Sequence, residues 1–413
     1  MSGGCRFCRA PLTRTVLDLG LSPISNQFRS ADRVLNDGQT FYPLTVMVCE
    51  RCWLVQLTNV ETPPHFTDEY VYFSSHSTSW LEHARRYAQS MIQRLALDSQ
   101  SLVVEIASND GYLLKNFRQA GIRVLGVEPT ANTAEHARAQ HGIESIVDFF
   151  GARLGNELAR KGYRADLICG NNVLAHVPDI NDFVAGIPPL LKPGGTVTFE
   201  FPHVLRMLSD CQFDTIYHEH FSYLSLVAVE QVFGAHGLEV YGVEQLGTHG
   251  GSLRVYAAHA GSDLRDAALA AGRDQVRHQE RAAGLNCVDT YARFGDEVIR
   301  RKLDLLEFLI AAKRDGKKVI GYGAPAKGNT LLNYCGIGPE LVAYTVDRSP
   351  AKQGKYLPGV NLPVRTPEDL VADRPDFILI LPWNLREEIA GQLAAAREWG
   401  AKFVVAIPEV QVF

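Results

Sequence analysis

The sequence predicts an α/β protein made of an N-terminal zinc-binding module and two Rossmann-like α/β domains, one central and one C-terminal. Three observations predict this architecture. Two Cys-x-x-Cys motifs bracket the N-terminal segment, and buried apolar strands then alternate with helices in two separate stretches. A long polar helical stretch lies between those two stretches. The length of 413 residues fits two or three domains at about 150 residues each.

Composition narrows the class of protein. Hydrophobic residues make up 46% of the chain and charged residues 21%, as in ordinary globular proteins. The net charge of −5 argues against a dedicated nucleic-acid binder, which usually carries a basic surplus. No apolar run approaches the roughly 18 residues of a membrane span, and the N-terminus MSGGCRFC lacks a signal-peptide pattern. We therefore expect a reducing, cytoplasmic location with no membrane or nucleic-acid partner, where cysteines are thiols or metal ligands.

The N-terminal cysteines predict a structural zinc site. The two motifs consist of Cys5, Cys8, Cys49 and Cys52. Each pair can hold a metal ion from a tight turn, and four thiolates leave no open coordination position for chemistry. Strands are expected at 16–19 and at 41–48. Two unrelated turns or a redox motif are the alternatives, but redox motifs do not usually occur as two pairs in one short module. The remaining cysteines are interpreted as buried apolar residues: Cys169, Cys211, Cys287 and Cys335.

The central domain follows in alternating order. Residues 102–107 (LVVEIA) predict a buried parallel strand, and 108–121 predict a turn and a helix with apolar residues at helical spacing. Residues 122–129 predict a second strand that ends in an acidic residue. A further strand and loop are expected at 165–177, and a turn and a strand at 191–202. This order is typical of a doubly wound sheet, in which ligands bind at the carboxyl ends of the strands.

The C-terminal domain repeats the theme after the polar helical stretch at about 264–315. A strand, a turn and a helix are expected within 317–336. A further strand ends at Asp347, and two more are expected at 377–383 and 403–410.

The first strand–turn–helix unit predicts a ligand site. Glu105 ends the first strand, a turn of small residues runs from Ala107 to Gly111, and Glu128 ends the second strand. Backbone N–H groups of such a turn can bind an anionic group, and a carboxylate at Glu128 can accept two ribose hydroxyls. The turn has one glycine, so the GxGxxG pattern fails. S-adenosylmethionine, which has no pyrophosphate, is favoured over NAD and over a merely structural turn.

The second glycine turn, GYGAPAKGNT, opens the C-terminal domain. Its spacing of Gly321, Gly323 and Gly328 fits neither a dinucleotide site nor a P-loop. Lys327 at a helix N-terminus still suits a diphosphate, with a structural relic of an older cofactor fold as the alternative. Upstream, Arg254 follows a His-Gly-Gly-Ser turn with room for close backbone approach and suits a phosphate, with a surface salt bridge as the alternative.

Taken in order, these motifs resemble the nucleotide-sugar C-methyltransferases of deoxysugar biosynthesis. The stretches that carry the resemblance are the two cysteine pairs, EIASNDGYLL, GVEP, NNVLAHVPD, LKPGG, FDTIYHEHFSYLS, HGGSLRV and GYGAPAKGNTLLNYCGI. The resemblance implies a zinc-binding domain at 1–64, a class I S-adenosylmethionine-dependent methyltransferase domain at 65–255 and a nucleotide-sugar-binding α/β domain at 256–413. It also implies methyl transfer to the carbon beside a 4-keto group, typically C-3 of a nucleoside-diphosphate-linked 6-deoxysugar.

Methylation of carbon requires an enolate, so the site needs a base and donors to the ketone oxygen. The segment Tyr217-His218-Glu219-His220 contains these residue types. The resemblance implies that His220 is the base, that Glu219 orients its imidazole and that Tyr217 stabilises the oxyanion, while His218 is a bystander. An aromatic loop that only packs on the sheet is the alternative.

The resemblance implies further site residues, each with a packing or capping role as the alternative. Tyr72 and His176 join the catalytic group. The expected cofactor contacts are Glu105, Ala107, Asn109, Gly111, Glu128, Pro129, Asn171 and Asn172. The expected substrate contacts are Tyr70, His249, Arg254, Tyr322, Lys327 and Asn329.

Other functions compete with this reading. The glycine patterns argue against an NAD-dependent nucleotide-sugar ketoreductase, and the charge argues against a zinc-containing RNA methyltransferase. A non-catalytic sugar-binding protein would leave YHEH unexplained. Ser252 stands where some family members that act on 3-amino sugars have glutamate. This difference weakens the case for an amino-sugar substrate without excluding one. The nucleotide and the exact sugar stay open, and the sequence is compatible with a monomer.

Overall fold

A computed structural model describes residues 4–58, 62, 66, 73–264 and 266–413. The strands of this part of the chain are β1 (Arg14–Ser22), β2 (Tyr42–Val48), β3 (Val55–Leu57), β4 (Leu102–Ile106), β5 (Arg123–Val127), β6 (Ser145–Ile146), β7 (Ala165–Asn171), β8 (Leu191–Pro202), β9 (Ser222–Tyr223), β10 (Leu238–Leu246), β11 (Ser252–His259), β12 (Val319–Tyr322), β13 (Thr345–Val346), β14 (Val364–Arg365), β15 (Phe377–Ile380), β16 (Lys402–Val405) and β17 (Gln411–Val412).

The helices of the same part are α1 (Ala31–Asn36), α2 (Thr78–Arg94), α3 (Leu114–Gln119), α4 (Ala131–His141), α5 (Ala152–Arg160), α6 (Ile180–Ala185), α7 (Ile187–Leu190), α8 (Val204–Ser209), α9 (Leu226–Ala235), α10 (Ala267–Ala282), α11 (Val288–Ala292), α12 (Phe294–Arg314), α13 (Ala326–Cys335), α14 (Pro367–Asp373) and α15 (Arg386–Gln392). Among the described residues, none of these helices has the length and apolar character that a membrane crossing needs.

The N-terminal sheet has the order β1-β2-β3-β9, and all its pairs are antiparallel. Alternate residues of β2 are buried, which is the pattern of a strand with one face on a core. The last strand, β9, comes from the segment that directly follows His220. Its pairing with β3 ties the predicted catalytic segment to the cysteine-bearing module.

The central sheet has the order β10-β11-β8-β7-β4-β5-β6. Strands β4 to β8 pair in parallel, while β10 and β11 form an antiparallel edge. All five residues of β4 are buried, which explains its continuous apolar run. Because β4 lies between β5 and β7, the strand order reverses there, and ligand sites form outside the carboxyl ends at such a point.

The predicted turn at LKPGG lies within β8. The register moves from Ala165 opposite Leu191 to Leu167 opposite Thr196, so the residues between them bulge out of the ladder. The bulge accommodates Gly194 at a φ of +77°. The predicted separate turn is thus a bulge within β8, because the strand continues through these residues.

The C-terminal sheet has the order β14-β13-β12-β15-β16-β17 and is parallel except for β17. The polar stretch before it forms α10, α11 and α12, as predicted. Helix α10 packs against β10, where Leu269 joins the core of the central domain. The predicted α/β class with Rossmann-like domains is confirmed. The domain boundaries stay predictions, and β11 continues through the one expected at residue 255.

Candidate active site and zinc centre

One cavity of about 780 Å³ lies at the carboxyl edge of the central sheet. Its wall includes loops that follow β4, β5, β6, β7 and β8, the segment at 215–223 and the start of α13. The predicted site residues on this wall are Ala107, Asn109, Glu128, Pro129, Asn171, Asn172, His176, Tyr217, Glu219, His220, His249 and Lys327. The fold thus brings together residues that are far apart in the sequence.

The turn after β4 is held by the acid that ends β5. Ala107 and Asn109 have φ values of 60° and 48°. The Asn109 N–H donates to Glu128 Oε2 at 2.8 Å, and the Thr130 N–H donates to Glu128 Oε1 at 2.9 Å. Burial raises the pKa of Glu128, and these hydrogen bonds oppose that shift. Glu128 is therefore both a support of the turn and a carboxyl on the cavity wall.

Two predicted cofactor contacts lie behind the wall. Glu105 is fully buried on β4, and burial raises the pKa of its carboxyl well above the ordinary value. Gly111 has a φ of +78°, and a Cβ there would lie 2.8 Å from Ile143 Cδ1. Neither residue lines the cavity. Their positions support a role in shaping the turn, and not the predicted direct contacts with the cofactor.

His220 is held in one tautomer by its own segment. Its Nδ1 lies 2.8 Å from the Thr215 carbonyl oxygen, which can only accept, so Nδ1 carries the proton. Its Nε2 lies 2.8 Å from the Tyr217 hydroxyl and accepts from it. The lone pair of Nε2 is thus aimed at the tyrosine that lies beside it on the cavity wall.

The surroundings of His220 favour neutral imidazole. Burial, and then the charges of His176 and Lys327, hold the pKa of His220 well below its ordinary value. The His176 ring approaches edge-on, with 4.6 Å between the ring centroids. His220 therefore has a free base form at neutral pH, as a proton acceptor needs.

Glu219 does not have the role that the sequence predicts for it. The expectation was that its carboxylate orients the His220 imidazole. The Thr215 carbonyl oxygen instead accepts the hydrogen bond from His220 Nδ1. Glu219 Oε1 instead accepts from Asn26 Nδ2 at 2.7 Å. Burial raises the pKa of Glu219 to about 7, against the lowering effect of the Asn26 hydrogen bond. The physical reason is the tight turn at 217–220, in which the carboxyl is hydrogen-bonded to the N-terminal module.

The side chains of Asn172, after β7, and His249, before β11, are hydrogen-bonded to each other. Asn172 Nδ2 donates to His249 Nε2 at 2.9 Å, and both residues have positive φ values, 55° and 54°. Burial, followed by the charge of Lys327, lowers the pKa of His249 to about 4. This pair joins the loop after β7 to the turn before β11.

Arg254 lies away from the cavity, so the predicted phosphate contact is not supported. It sits on β11, an inner strand, and is 5% exposed. Its guanidinium pairs with Glu200 Oε2 at 2.5 Å and with Glu244 Oε2 at 3.3 Å. His83 shares Glu200 Oε2 at 2.8 Å. Arg254 thus forms a buried ion pair on β11, between β8 and β10, and not the surface salt bridge that was the alternative.

The glycine turn of the C-terminal domain contributes Lys327 to the wall. Lys327 Nζ lies 2.9 Å from Asn384 Oδ1 and 4.4 Å from the centroid of the Trp383 ring. Burial lowers the pKa of Lys327, and Asp214 opposes that shift. Tyr322 and Asn329, predicted substrate contacts, are buried on β12 and α13 and do not line the cavity.

Some residues of the wall were not singled out from the sequence. Asp148 and Phe149 follow β6, and the Phe149 side chain is 62% exposed. The rule that ligands bind beyond carboxyl ends could have found them, because they directly follow a parallel strand. Asn26 comes from the N-terminal module and gave no such signal. The predicted Tyr70 and Tyr72 lie outside the described residues.

The four N-terminal cysteines form a cluster that fits zinc. Their Sγ atoms all lie within 4.8 Å of one another, with Cys5 to Cys52 and Cys8 to Cys49 each at 3.5 Å. A tetrahedral zinc–thiolate site has sulfur separations of about 3.8 Å. Gln56 Nε2 also lies 3.2 Å from Cys5 Sγ, where an N–H can support a thiolate.

The two cysteine turns have the same backbone design. In the first, the Arg9 N–H donates to the Cys5 carbonyl at 3.0 Å, and Arg9 has a φ of 63°. In the second, the Trp53 N–H donates to the Cys49 carbonyl at 2.8 Å, and Trp53 has a φ of 60°. Such a repeat is typical of two knuckles that present paired thiolates to one ion.

Comparisons with known proteins agree with this arrangement. Residues 5–66 match the family model "Putative zinc binding domain", 80–243 match "Methyltransferase domain", and 247–408 match "C-methyltransferase C-terminal domain". The C-methyltransferase NovU of Streptomyces niveus is 38% identical over 408 residues, which cover 99% of this chain and 96% of that protein.

The chain belongs to the C-methyltransferase family.

Three further similarities each cover less than half of this C-methyltransferase. A ubiquinone biosynthesis O-methyltransferase of Chelativorans is 33% identical over 94 residues, covering 22% of this chain and 37% of that protein. A magnesium protoporphyrin IX methyltransferase structure from Synechocystis has 14% identity and a TM-score of 0.35, covering 44% of this chain and 83% of that one. The PH0226 protein structure from Pyrococcus horikoshii has 14% identity and a TM-score of 0.38, and the match covers 46% of this chain and 95% of that one.

Two cofactor predictions are confirmed for this C-methyltransferase. The methyltransferase domain and the full-length relative support an S-adenosylmethionine-dependent enzyme. The zinc-binding domain model spans all four clustered cysteines.

Proposed function

We propose that this enzyme methylates C-3 of a nucleoside-diphosphate-linked 4-keto-6-deoxysugar through an enolate. The observation that carries the proposal is the Tyr217–His220 pair on the cavity wall. An enolising ketone offers two neighbouring reactive positions, an acidic C–H and a carbonyl oxygen. A base and an O–H donor only 2.8 Å apart match two such positions.

His220 takes the proton from the carbon beside the ketone. Its Nδ1–H stays on the Thr215 carbonyl, so the ring keeps the orientation in which Nε2 is the basic atom. In this proposal the Tyr217 hydroxyl turns from Nε2 to the ketone oxygen when substrate binds. That movement frees the lone pair and supplies a donor where negative charge develops.

The same cavity has room and donors for the methyl donor. Glu128 would hold the ribose hydroxyls, the backbone of the Ala107–Asn109 turn would meet the carboxylate, and Phe149 would lie against the adenine. When bound, S-adenosylmethionine supplies an electrophilic methyl group. The enzyme's own residues generate the nucleophile, which is the substrate carbon beside the ketone, by removing its proton.

Lys327 supports a nucleotide-sugar as the second ligand. It lies in the first turn of α13 and lines the same cavity as the β4 turn. A buried ammonium at a helix N-terminus attracts a diphosphate. Arg254 has no part in this proposal, because its charge is neutralised within the fold.

The test is a panel of dTDP-, GDP-, CDP- and UDP-linked 4-keto-6-deoxysugars incubated with enzyme and S-adenosylmethionine. We expect one member to gain the mass of one methylene, with the new methyl group on carbon when the product is examined by NMR. A methyl group on oxygen, or no gain with any keto-sugar, would contradict the proposal. Hydride transfer from NADH or methylation of RNA would instead support the rival functions.

A further inference from the structure

The N-terminal module carries the cysteine cluster and also contributes a residue to the cavity wall. Asn26 lies on the cavity wall in a turn after β1. The Gln27 N–H donates to the Ile24 carbonyl at 3.1 Å and closes that turn. Beyond it, Arg29 and Tyr356 exchange two backbone hydrogen bonds of 3.1 and 2.8 Å, which fix the turn to the C-terminal domain.

The partner of Asn26 is Glu219. Asn26 Nδ2 donates to Glu219 Oε1 at 2.7 Å, over a separation of 193 residues in the sequence. Glu219 is 3% exposed and shares the wall with Tyr217 and His220. Since a buried carboxylate is costly without a hydrogen-bond donor, this contact holds the carboxyl in place and opposes the effect of burial on its ionisation.

We propose that Asn26 is a positioning residue for the methyl-transfer reaction, acting through Glu219. Its amide N–H holds the Glu219 carboxyl at the cavity wall and favours the ionised form of that carboxyl. The zinc-binding module thereby supplies a functional side chain to the active site. The turnover part of this inference rests on the proposed sugar substrate, while the effect on the Glu219 carboxyl does not.

Other titratable groups lie on the segment of Glu219 or share the cavity wall with it. On its own segment these are Tyr217, His218 and His220, and His218 points away to the Pro43 carbonyl. From the other elements, the titratable groups on the wall are Tyr112, Glu128, Asp148, His176, Asp179, Asp182, His203, Tyr223, His249, Lys327 and Lys352. Burial and the Asn26 hydrogen bond are the two influences on the pKa of Glu219. A change at Asn26 should therefore be visible at this carboxyl.

The first measurement needs no substrate. The pKa of Glu219 is followed by infrared titration of carbon-13-labelled glutamate in the full chain, and its band is identified by its loss in Glu219→Gln. We expect Asn26→Ala to raise this pKa. Asn26→Asp should raise it more, because it keeps the shape of the side chain but replaces the donor by an acceptor. An unchanged pKa in both variants would overturn the proposal.

The second measurement is a double-mutant cycle on kcat/KM with the best keto-sugar. A hydrogen bond to a charged group accounts for about tenfold to hundredfold, so Asn26→Ala should lose that much. In the Glu219→Gln background the same change should cost much less, because the amide oxygen still accepts from Asn26 but the ionisable carboxyl through which Asn26 acts is gone. Losses that multiply in the double variant would mean that Asn26 acts independently of Glu219 and would overturn the proposal.

Gln27→Ala is the matched control. Gln27 is exposed on the same turn and does not line the cavity. It should leave both the pKa of Glu219 and turnover unchanged. If no keto-sugar is a substrate, the proposed function fails while the titration still tests the Asn26 contact. The two failures are thus distinguishable.

Discussion

At the scale of single residues, the site depends on how a few polar side chains are paired. The sequence predicted a base and an oxyanion donor in the segment that contains Tyr217 and His220, because methylation of carbon needs both, and the structure places the two residues on the cavity wall. It could not predict which atom orients the imidazole. That atom is the Thr215 backbone oxygen, and backbone acceptors carry no sequence signature. The same limit applies to Glu219, whose partner is 193 residues away.

The raised pKa of Glu219 predicts a pH-dependent stability. Its pKa moves from an ordinary 4.5 to about 7 on folding because the carboxyl is buried. Between those values the folded state binds more protons than the unfolded state, so stability falls as pH rises. Below the lower value the cost is absent, and above about pH 7 it is fully present. At 1.4 kcal/mol per pKa unit, the cost is about 3 kcal/mol.

Glu219→Gln should remove this cost and still accept from Asn26. In urea unfolding, we expect the variant to gain about 3 kcal/mol over wild type near pH 8 and much less near pH 5. Comparison within each pH cancels other buried carboxyls, such as Asp214 with its pKa raised to about 6 by burial. An equal difference between the two proteins at both pH values would contradict this account.

At the scale of elements, the strands were predicted well because buried parallel strands have continuous apolar runs. The predicted strand at 102–107 and the observed β4 at Leu102–Ile106 differ by one residue. Burial of individual polar residues was harder to predict. Arg254 follows one glycine-rich turn, and Tyr322 lies at the start of another. Both nevertheless lie on inner strands and are buried.

The turn after β4 gives a prediction with a close control. Gly111 and Gly121 share a φ of +78°, but only Gly111 has close neighbours, with Ile143 Cδ1 at 2.8 Å and Ala137 Cβ at 3.1 Å from an added Cβ. Alanine at either position has the same backbone strain, and overpacking adds roughly 1–3 kcal/mol at Gly111. Urea unfolding should show this excess. Calorimetry should show weaker S-adenosylmethionine binding for Gly111→Ala alone. Equal effects of the two substitutions would contradict the account.

The cysteine knuckles predict a dependence of folding on metal. Cys49→Ser removes one of the four clustered cysteines, in the knuckle between β2 and β3. Because structural zinc contributes folding energy directly, we expect loss of zinc and an unstable or insoluble protein. Cys287→Ser is the control, since Cys287 is exposed and lies outside the cluster. Metal analysis that finds no zinc in active wild-type protein would refute the prediction.

At the scale of the whole molecule, three parts of the chain form one cavity. The N-terminal module supplies Asn26, the central domain supplies His220 and Glu128, and the C-terminal domain supplies Lys327. The pairing of β3 with β9 connects the cysteine module to the segment that carries His220. The family resemblance predicted the three parts. It did not predict that the first of them reaches the wall, because a contact between distant modules leaves no periodic pattern.

The central claim is that His220 forms an enolate beside the ketone. The most direct test incubates the keto-sugar with enzyme and S-adenosylhomocysteine in D₂O and measures deuterium at C-3 by mass spectrometry and NMR. Exchange needs deprotonation but no methyl transfer, so it isolates this step. We expect exchange with the wild type and a loss of about 10²–10⁴-fold in His220→Asn, the usual contribution of a general base. Exchange at the wild-type rate in a folded, ligand-binding His220→Asn would contradict the claim and assign the base to another residue of the wall.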